Sequence, residues 1–131
     1  MRIYFAAPLF DDMELERNER ECRKFELAGH EVYLPQRDAG EAAAGTPRDL
    51  LFHRDIMALQ ECNVVVAYLD GRVPDEGTCF EMGFAYALGK PVYAVLTDRR
   101  SFMDDHLNVM LEQSVKACHR FTEGVIKCLE Q

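Results

Sequence analysis

The chain has 131 residues, one domain by size and long enough to bury a core. Its 23 acidic residues outnumber 15 basic ones, for a formal net charge of −8. That balance lacks the positive footprint of a protein that binds nucleic-acid polymers or anionic membranes. Hydrophobic residues make up 48% and charged residues 29%, as in a soluble globular fold.

No apolar run nears the roughly 18 residues of a membrane span. The first apolar stretch, Ile3 to Phe10, runs into Asp11 and Asp12 with no small-residue cleavage site, so no signal peptide is expected. The five cysteines (Cys22, Cys62, Cys79, Cys118 and Cys128) form no Cys-x-x-Cys pair. Reduced, buried thiols in a cytoplasmic protein are the expectation, with neither zinc nor a disulfide framework.

Arg2 to Ala6 is short, β-branched and aromatic, and reads as a strand stopped near Pro8. Met13 to Ala28 carries Leu15, Cys22 and Phe25 on a narrow stripe and reads as a helix stopped by Gly29. Glu31 to Leu34 is a second strand, ended by Pro35. Gln36 to Pro47 reads as a loop and Arg48 to Glu61 as a second helix.

Val64 to Leu69 is continuously apolar, the mark of a central parallel strand buried on both faces. A loop from Asp70 to Gly77 leads to a helix from Thr78 to Leu88, stopped by Gly89. Pro91 to Leu96 is a fourth strand and Thr97 to His106 a polar loop. A short helix over Leu107 to Glu112, a strand over Val115 to Cys118 and a helix capped by Thr122 complete the chain. Alternating strands and helices imply a parallel sheet of about five strands with helices on both faces. Ligands of such folds bind at the carboxyl ends of the strands.

Two carboxylates strain a purely structural account. Leu51, Asp55 and Leu59 share one helix face, with Phe52 and Ala58 beside them, so Asp55 lies on the apolar face. It either bonds loop amides or an arginine, or it edges a site. Thr78 and Glu81 have capping-box spacing, which would place Glu81 in a first helical turn where the macrodipole favours its ionised form. Asp70, Asp75 and Glu76 lie in the loop before it, and paired carboxylates there are the basic kit for glycosidic cleavage.

Gly71 and Gly77 precede a helix start, but no Gly-x-Gly-x-x-Gly or Walker motif exists, which disfavours a dinucleotide or triphosphate. A response-regulator module is disfavoured too, because Asp55 lies on a helix rather than at a strand end. His30, His53, His106 and His119 have no metal-ligand spacing and read as surface or loop residues. No Gly-x-Ser-x-Gly and no Cys-His pair stands out, and Cys79 reads as packing.

Three segments together resemble the nucleoside 2-deoxyribosyltransferase family. They are Ile3-Tyr-Phe-Ala-Ala-Pro8, Asp55 through Cys62-Asn63-Val-Val-Val-Ala, and Pro74-Asp-Glu-Gly-Thr-Cys-Phe-Glu-Met-Gly-Phe-Ala-Tyr-Ala-Leu-Gly-Lys-Pro91. The resemblance implies a flavodoxin-like (Rossmann-like) parallel sheet over a single domain, 1–131. It implies transfer of the 2-deoxyribosyl group from a 2′-deoxyribonucleoside to a free purine or pyrimidine, without metal or organic cofactor.

Carried over by position, Glu81 would attack C1′ and Asp75 would protonate or bind the leaving base. Tyr4 would orient Glu81 and Asp55 would help hold the base, with Gly77, Pro8 and Phe10 also in contact with substrate. Asn108 and Met110 would enter a neighbouring subunit's site, which implies a homo-oligomer, a dimer or trimer of dimers. Asn63 stands where the family often has Asp, and Gln36 to Asp38 match poorly, so base preference does not carry over.

Two other readings stand beside this one. A hydrolase of nucleoside 5′-monophosphates on the same fold would need a phosphate pocket. Ala6 to Phe10 lack donors for it, whereas Arg37 and Arg72 would favour it. A non-catalytic nucleotide-binding module is the least economical, given Tyr4, Asp55, Asp75 and Glu81 together.

Overall fold

The computed structural model describes residues 1–40, 45–98 and 107–131. Five parallel strands, β1 (Arg2–Ala6), β2 (Glu31–Tyr33), β3 (Val64–Tyr68), β4 (Val92–Val95) and β5 (Ala117–His119), lie in the order β2-β1-β3-β4-β5. The helices are α1 (Asp12–Leu27), α2 (Pro35–Asp38), α3 (Arg48–Glu61), α4 (Glu76–Ala87), α5 (Val109–Ser114) and α6 (Thr122–Leu129). This is the flavodoxin-like order, and its switch point lies between β1 and β3.

Strand periodicity divides the core between two faces. Ile3, Phe5, Val64, Val66 and Tyr68 pack with Cys22 and Phe25 of α1 and Val125 and Leu129 of α6. Tyr4, Ala6, Val65, Ala67 and Leu69 point the other way, onto Leu59 of α3 and Met82 and Ala85 of α4. β3 is buried throughout, as its unbroken apolar run predicts.

The helix ends follow from local chemistry. Asp11 and Glu14 form a reciprocal capping box at the start of α1. α1 and α4 both end in a Schellman pattern at Gly29 and Gly89, whose φ values of 91° and 72° suit glycine. In α1 the amide of His30 donates to Phe25 O and that of Gly29 to Glu26 O; Lys90 and Gly89 repeat this at the end of α4. Lys90 Nζ also donates to Gln60 O and Cys62 O at 2.7 and 2.5 Å, tying the end of α3 to the turn before β4.

Several local expectations are corrected. Pro35–Asp38 is helical where the sequence reads as loop, because Pro35 presets the first turn and Asp38 Oδ2 accepts from Leu34 N at 2.8 Å. Residues 41–44 of that loop, and 99–106 including His106, lie outside the described residues. Thr122 does not cap α6; Phe121 holds that position without a side-chain bond. Only Cys22 and Cys62 are buried, and Cys118 is exposed. His119 belongs to β5, and its Nε2 lies 3.4 Å from Cys128 Sγ, a Cys-His contact that spacing alone did not suggest.

Candidate active site

The carboxyl ends of β1 and β2 and the facing sides of α3 and α4 enclose a pocket of about 390 Å³. Leu9 and Phe10 come from the turn after β1, and Pro35 from the turn after β2. α3 contributes Leu51, Phe52, Asp55, Ile56 and Leu59, its predicted apolar face. α4 and its cap contribute Asp75, Gly77, Phe80 and Glu81. Three carboxylates thus meet in an otherwise apolar cleft at the switch point of the sheet.

Asp75 is the N-cap of α4. Its Oδ2 accepts from Thr78 N at 2.9 Å and from Thr78 Oγ1 at 3.1 Å. The predicted capping box between Thr78 and Glu81 does not form, because the helix begins two residues earlier. Glu81 therefore sits in the second turn, beyond the strongest part of the macrodipole. Gly77 allows the close approach at the cap: a Cβ there would lie 3.2 Å from Asp75 Oδ2.

Tyr4 lies beneath the pocket in the middle of β1, not at its end, and is fully buried. Its hydroxyl interacts with the Glu81 carboxylate through a hydrogen bond looser than ordinary geometry. Burial, and then the nearby Glu81 and Asp55 carboxylates, push its pKa far above the phenol range, so it stays protonated.

Asp55 is half-buried and accepts from Tyr33 Oη at 3.0 Å. Tyr33 stacks on Tyr4, with ring centroids 5.4 Å apart and planes 19° from parallel. The sequence reading missed Tyr33, which its strand position on the Tyr4 face could have flagged. It also missed Asn18, a buried polar residue on the apolar stripe of α1. Asn18 Nδ2 donates to Pro8 O and Gln36 Oε1, both at 2.9 Å, and Gln36 Nε2 donates to Leu15 O at 3.1 Å. These bonds join the turns that carry Leu9 and Pro35, two walls of the pocket.

Other expected residues fall outside this pocket. Pro8 is buried and does not line the cleft, whereas its neighbours Ala7 and Leu9 do. Asp70 grips the turn after β4 instead, accepting from Thr97 N, Thr97 Oγ1 and Asp98 N at 2.6 to 2.8 Å. Arg37 is committed to Asp38, Glu26 and Val32 O. Asn108 is the N-cap of α5, its Oδ1 accepting from Met110 N at 2.9 Å, and Met110 is 75% exposed. Neither lines the pocket of its own chain. Phe10, Phe52 and Phe80 are exposed at the pocket's rim.

The sequence profile of the nucleoside 2-deoxyribosyltransferase family matches residues 3–120. The chain belongs to this family. A sequence search of the curated proteins found no match. Among solved structures, a 2-deoxyribosyltransferase from Bacillus psychrosaccharolyticus superposes with a TM-score of 0.82 at 22% identity. That match covers 96% of this chain and 90% of the other.

A conserved protein from Enterococcus faecalis gives a TM-score of 0.84 at 26% identity, covering 99% and 97% of the two chains. A CMP N-glycosidase of Clostridium botulinum gives 0.63 at 19% identity, covering 99% and 98%. Membership points to a glycosyl-transferring enzyme of the deoxyribosyltransferase type. Among the described residues, no helix is long and apolar enough to cross a membrane.

Proposed function

We propose that this enzyme exchanges the base of a 2′-deoxyribonucleoside for a free purine or pyrimidine through a sugar ester on Glu81. The observation that carries the reading is the meeting of Asp55, Asp75 and Glu81 in one apolar-walled pocket directly above Tyr4.

A Glu81 carboxylate oxygen attacks C1′ on the face opposite the base. The C1′–O bond forms as the C1′–N bond breaks, and the bond's electron pair leaves with the base nitrogen. Asp75 gives that nitrogen a proton; both of its cap bonds use Oδ2, so Oδ1 is the oxygen assigned to the base. A second base then attacks C1′, the ester electrons return to Glu81, and the incoming proton returns to Asp75. Two displacements give net retention. Tyr4 remains a proton donor that orients Glu81, and the missing 2′-hydroxyl eases the oxocarbenium-like charge at C1′.

Asn108 and Met110 serve the site of a neighbouring copy in this reading. Their exposure on α5 and the apolar rim of Phe10, Phe52 and Phe80 are consistent with a covering subunit. Hydrolysis of a nucleoside 5′-monophosphate is disfavoured. Among the described residues the pocket presents three acids and no Lys or Arg, a poor setting for a phosphate.

The test is incubation with a 2′-deoxyribonucleoside and a different free base, followed by chromatography. The exchanged nucleoside should form, and should vanish in Glu81→Ala. Release of free sugar without exchange, or preference for the 5′-monophosphate, would overturn the reading.

A further inference from the structure

The pocket residue Asp55 is bonded from outside its own helix. Its Oδ1 receives a proton donor from β2, the Tyr33 hydroxyl at 3.0 Å. Tyr33 is itself fixed, stacked on fully buried Tyr4 at 5.4 Å between ring centroids. Tyr33 does not line the pocket, so an effect of its hydroxyl on substrate passes through Asp55.

We infer that Tyr33 is a positioning residue that sets the orientation of Asp55, so that Asp55 accepts an N–H from the edge of the bound base. The inference rests on the reaction proposed above and adds a residue and a recognition rule to it.

The chemistry runs in one direction. Burial first, and then the neighbouring Asp55 carboxylate, raise the Tyr33 pKa above its ordinary value, so the phenol keeps its proton and donates. An ionised carboxylate is an acceptor only. The bond therefore fixes one oxygen of the Asp55 carboxylate where that residue lines the pocket. Among neutral ring systems, such a group selects those that present an N–H, and it opposes a bare carbonyl at the same place. The stacked pair Tyr4–Tyr33 also connects two of the pocket's carboxylates: Tyr4 interacts with Glu81, and the Tyr33 hydroxyl donates to Asp55.

The test measures equilibrium binding of adenine to the full-length protein, alongside exchange kinetics. Four proteins are compared: wild type, Tyr33→Phe, Asp55→Asn and the double variant. Tyr33→Phe should weaken adenine binding about tenfold and raise KM for the acceptor base by a similar factor, while the melting temperature moves by no more than about 4 °C. Asp55→Asn should weaken binding at least as much. Adding Tyr33→Phe to it should change nothing further, because the residue acts through Asp55.

Wild-type affinity in Tyr33→Phe, independent losses in the double variant, or no adenine binding by the wild type would each overturn the inference. If the wild type binds adenine in the expected pattern but shows no exchange, the proposed reaction fails and the role of Tyr33 stands. If exchange occurs and Tyr33→Phe behaves as wild type, the role of Tyr33 fails alone.

Discussion

A buried hydrogen-bond chain ties α1, α6 and β3 together on the sheet face opposite the pocket, and replacing its middle member should cost measurable stability. Thr122 Oγ1 donates to Glu21 Oε2 at 2.6 Å and lies 2.7 Å from Tyr68 Oη. A hydroxyl has one proton, so with Thr122 donating to Glu21 the phenol must donate to Thr122. Thr122→Val keeps the shape and removes both bonds. A charge-assisted bond contributes about 1.5–3 kcal/mol and a neutral one about 0.5–1.5 kcal/mol. Glu21 keeps Lys24 at 2.8 Å and Arg20 at 2.9 Å, which limits the penalty. The expected loss is therefore about 2–4 kcal/mol, or roughly 1–2 M in urea midpoint. Thr122→Ser keeps the hydroxyl and should lose only about 1 kcal/mol for the methyl group.

The pH dependence has a definite sign. Burial alone would raise the Glu21 pKa, but hydrogen bonds from Lys24, Thr122 and Arg20 outweigh it and hold the carboxyl below its ordinary value. A group with a depressed folded-state pKa contributes stability above its unfolded pKa of about 4.3 and loses it as pH falls through the folded value. The gap between wild type and Thr122→Val should therefore be full at pH 7 and narrow below about pH 4. Urea titrations at both values measure it. A gap under about 0.5 kcal/mol at pH 7, or one that does not change on acidification, would refute the argument.

Glu81→Ala should abolish base exchange, a loss of at least about 10³-fold in kcat, with little change in stability. Asp75 has a cap role as well as the proposed chemical one, and two variants separate them. Asp75→Ser should keep the α4 cap yet lose exchange, whereas Asp75→Ala should also lose about 1 kcal/mol in urea denaturation. Equal stability of the two would contradict the cap geometry. Gly124→Ala would set its Cβ 2.6 Å from His119 Nδ1, and should destabilise by about 1–3 kcal/mol. That cost should fall when His119 is also replaced by Ala, as a double-mutant cycle can measure.

Apart from α2, the order of strands and helices, and the parallel sheet they build, could be read from the chain alone. The β-branched and aromatic run of β1, the unbroken run of β3 and the Gly stops after α1 and α4 are local signals, and local sterics and burial determine them. The same holds for the shared face of Leu51, Asp55 and Leu59, which does turn to the pocket. Local signals misled where two caps compete: Thr78 and Glu81 have the right spacing, but Asp75 takes the cap and moves Glu81 into the second turn.

Tertiary structure alone decided which distant side chains meet. Tyr33 is 22 positions from Asp55 and Thr122 is 101 from Glu21, separations at which no helical or strand period operates. Such pairs exist because burying a carboxylate or a phenol is costly until another element supplies its partner, and only the packed sheet brings those elements together. The sequence by itself determined which residues could do chemistry; the fold determined that Asp55, Asp75 and Glu81 face one cavity while Asn108 and Met110 face away from it.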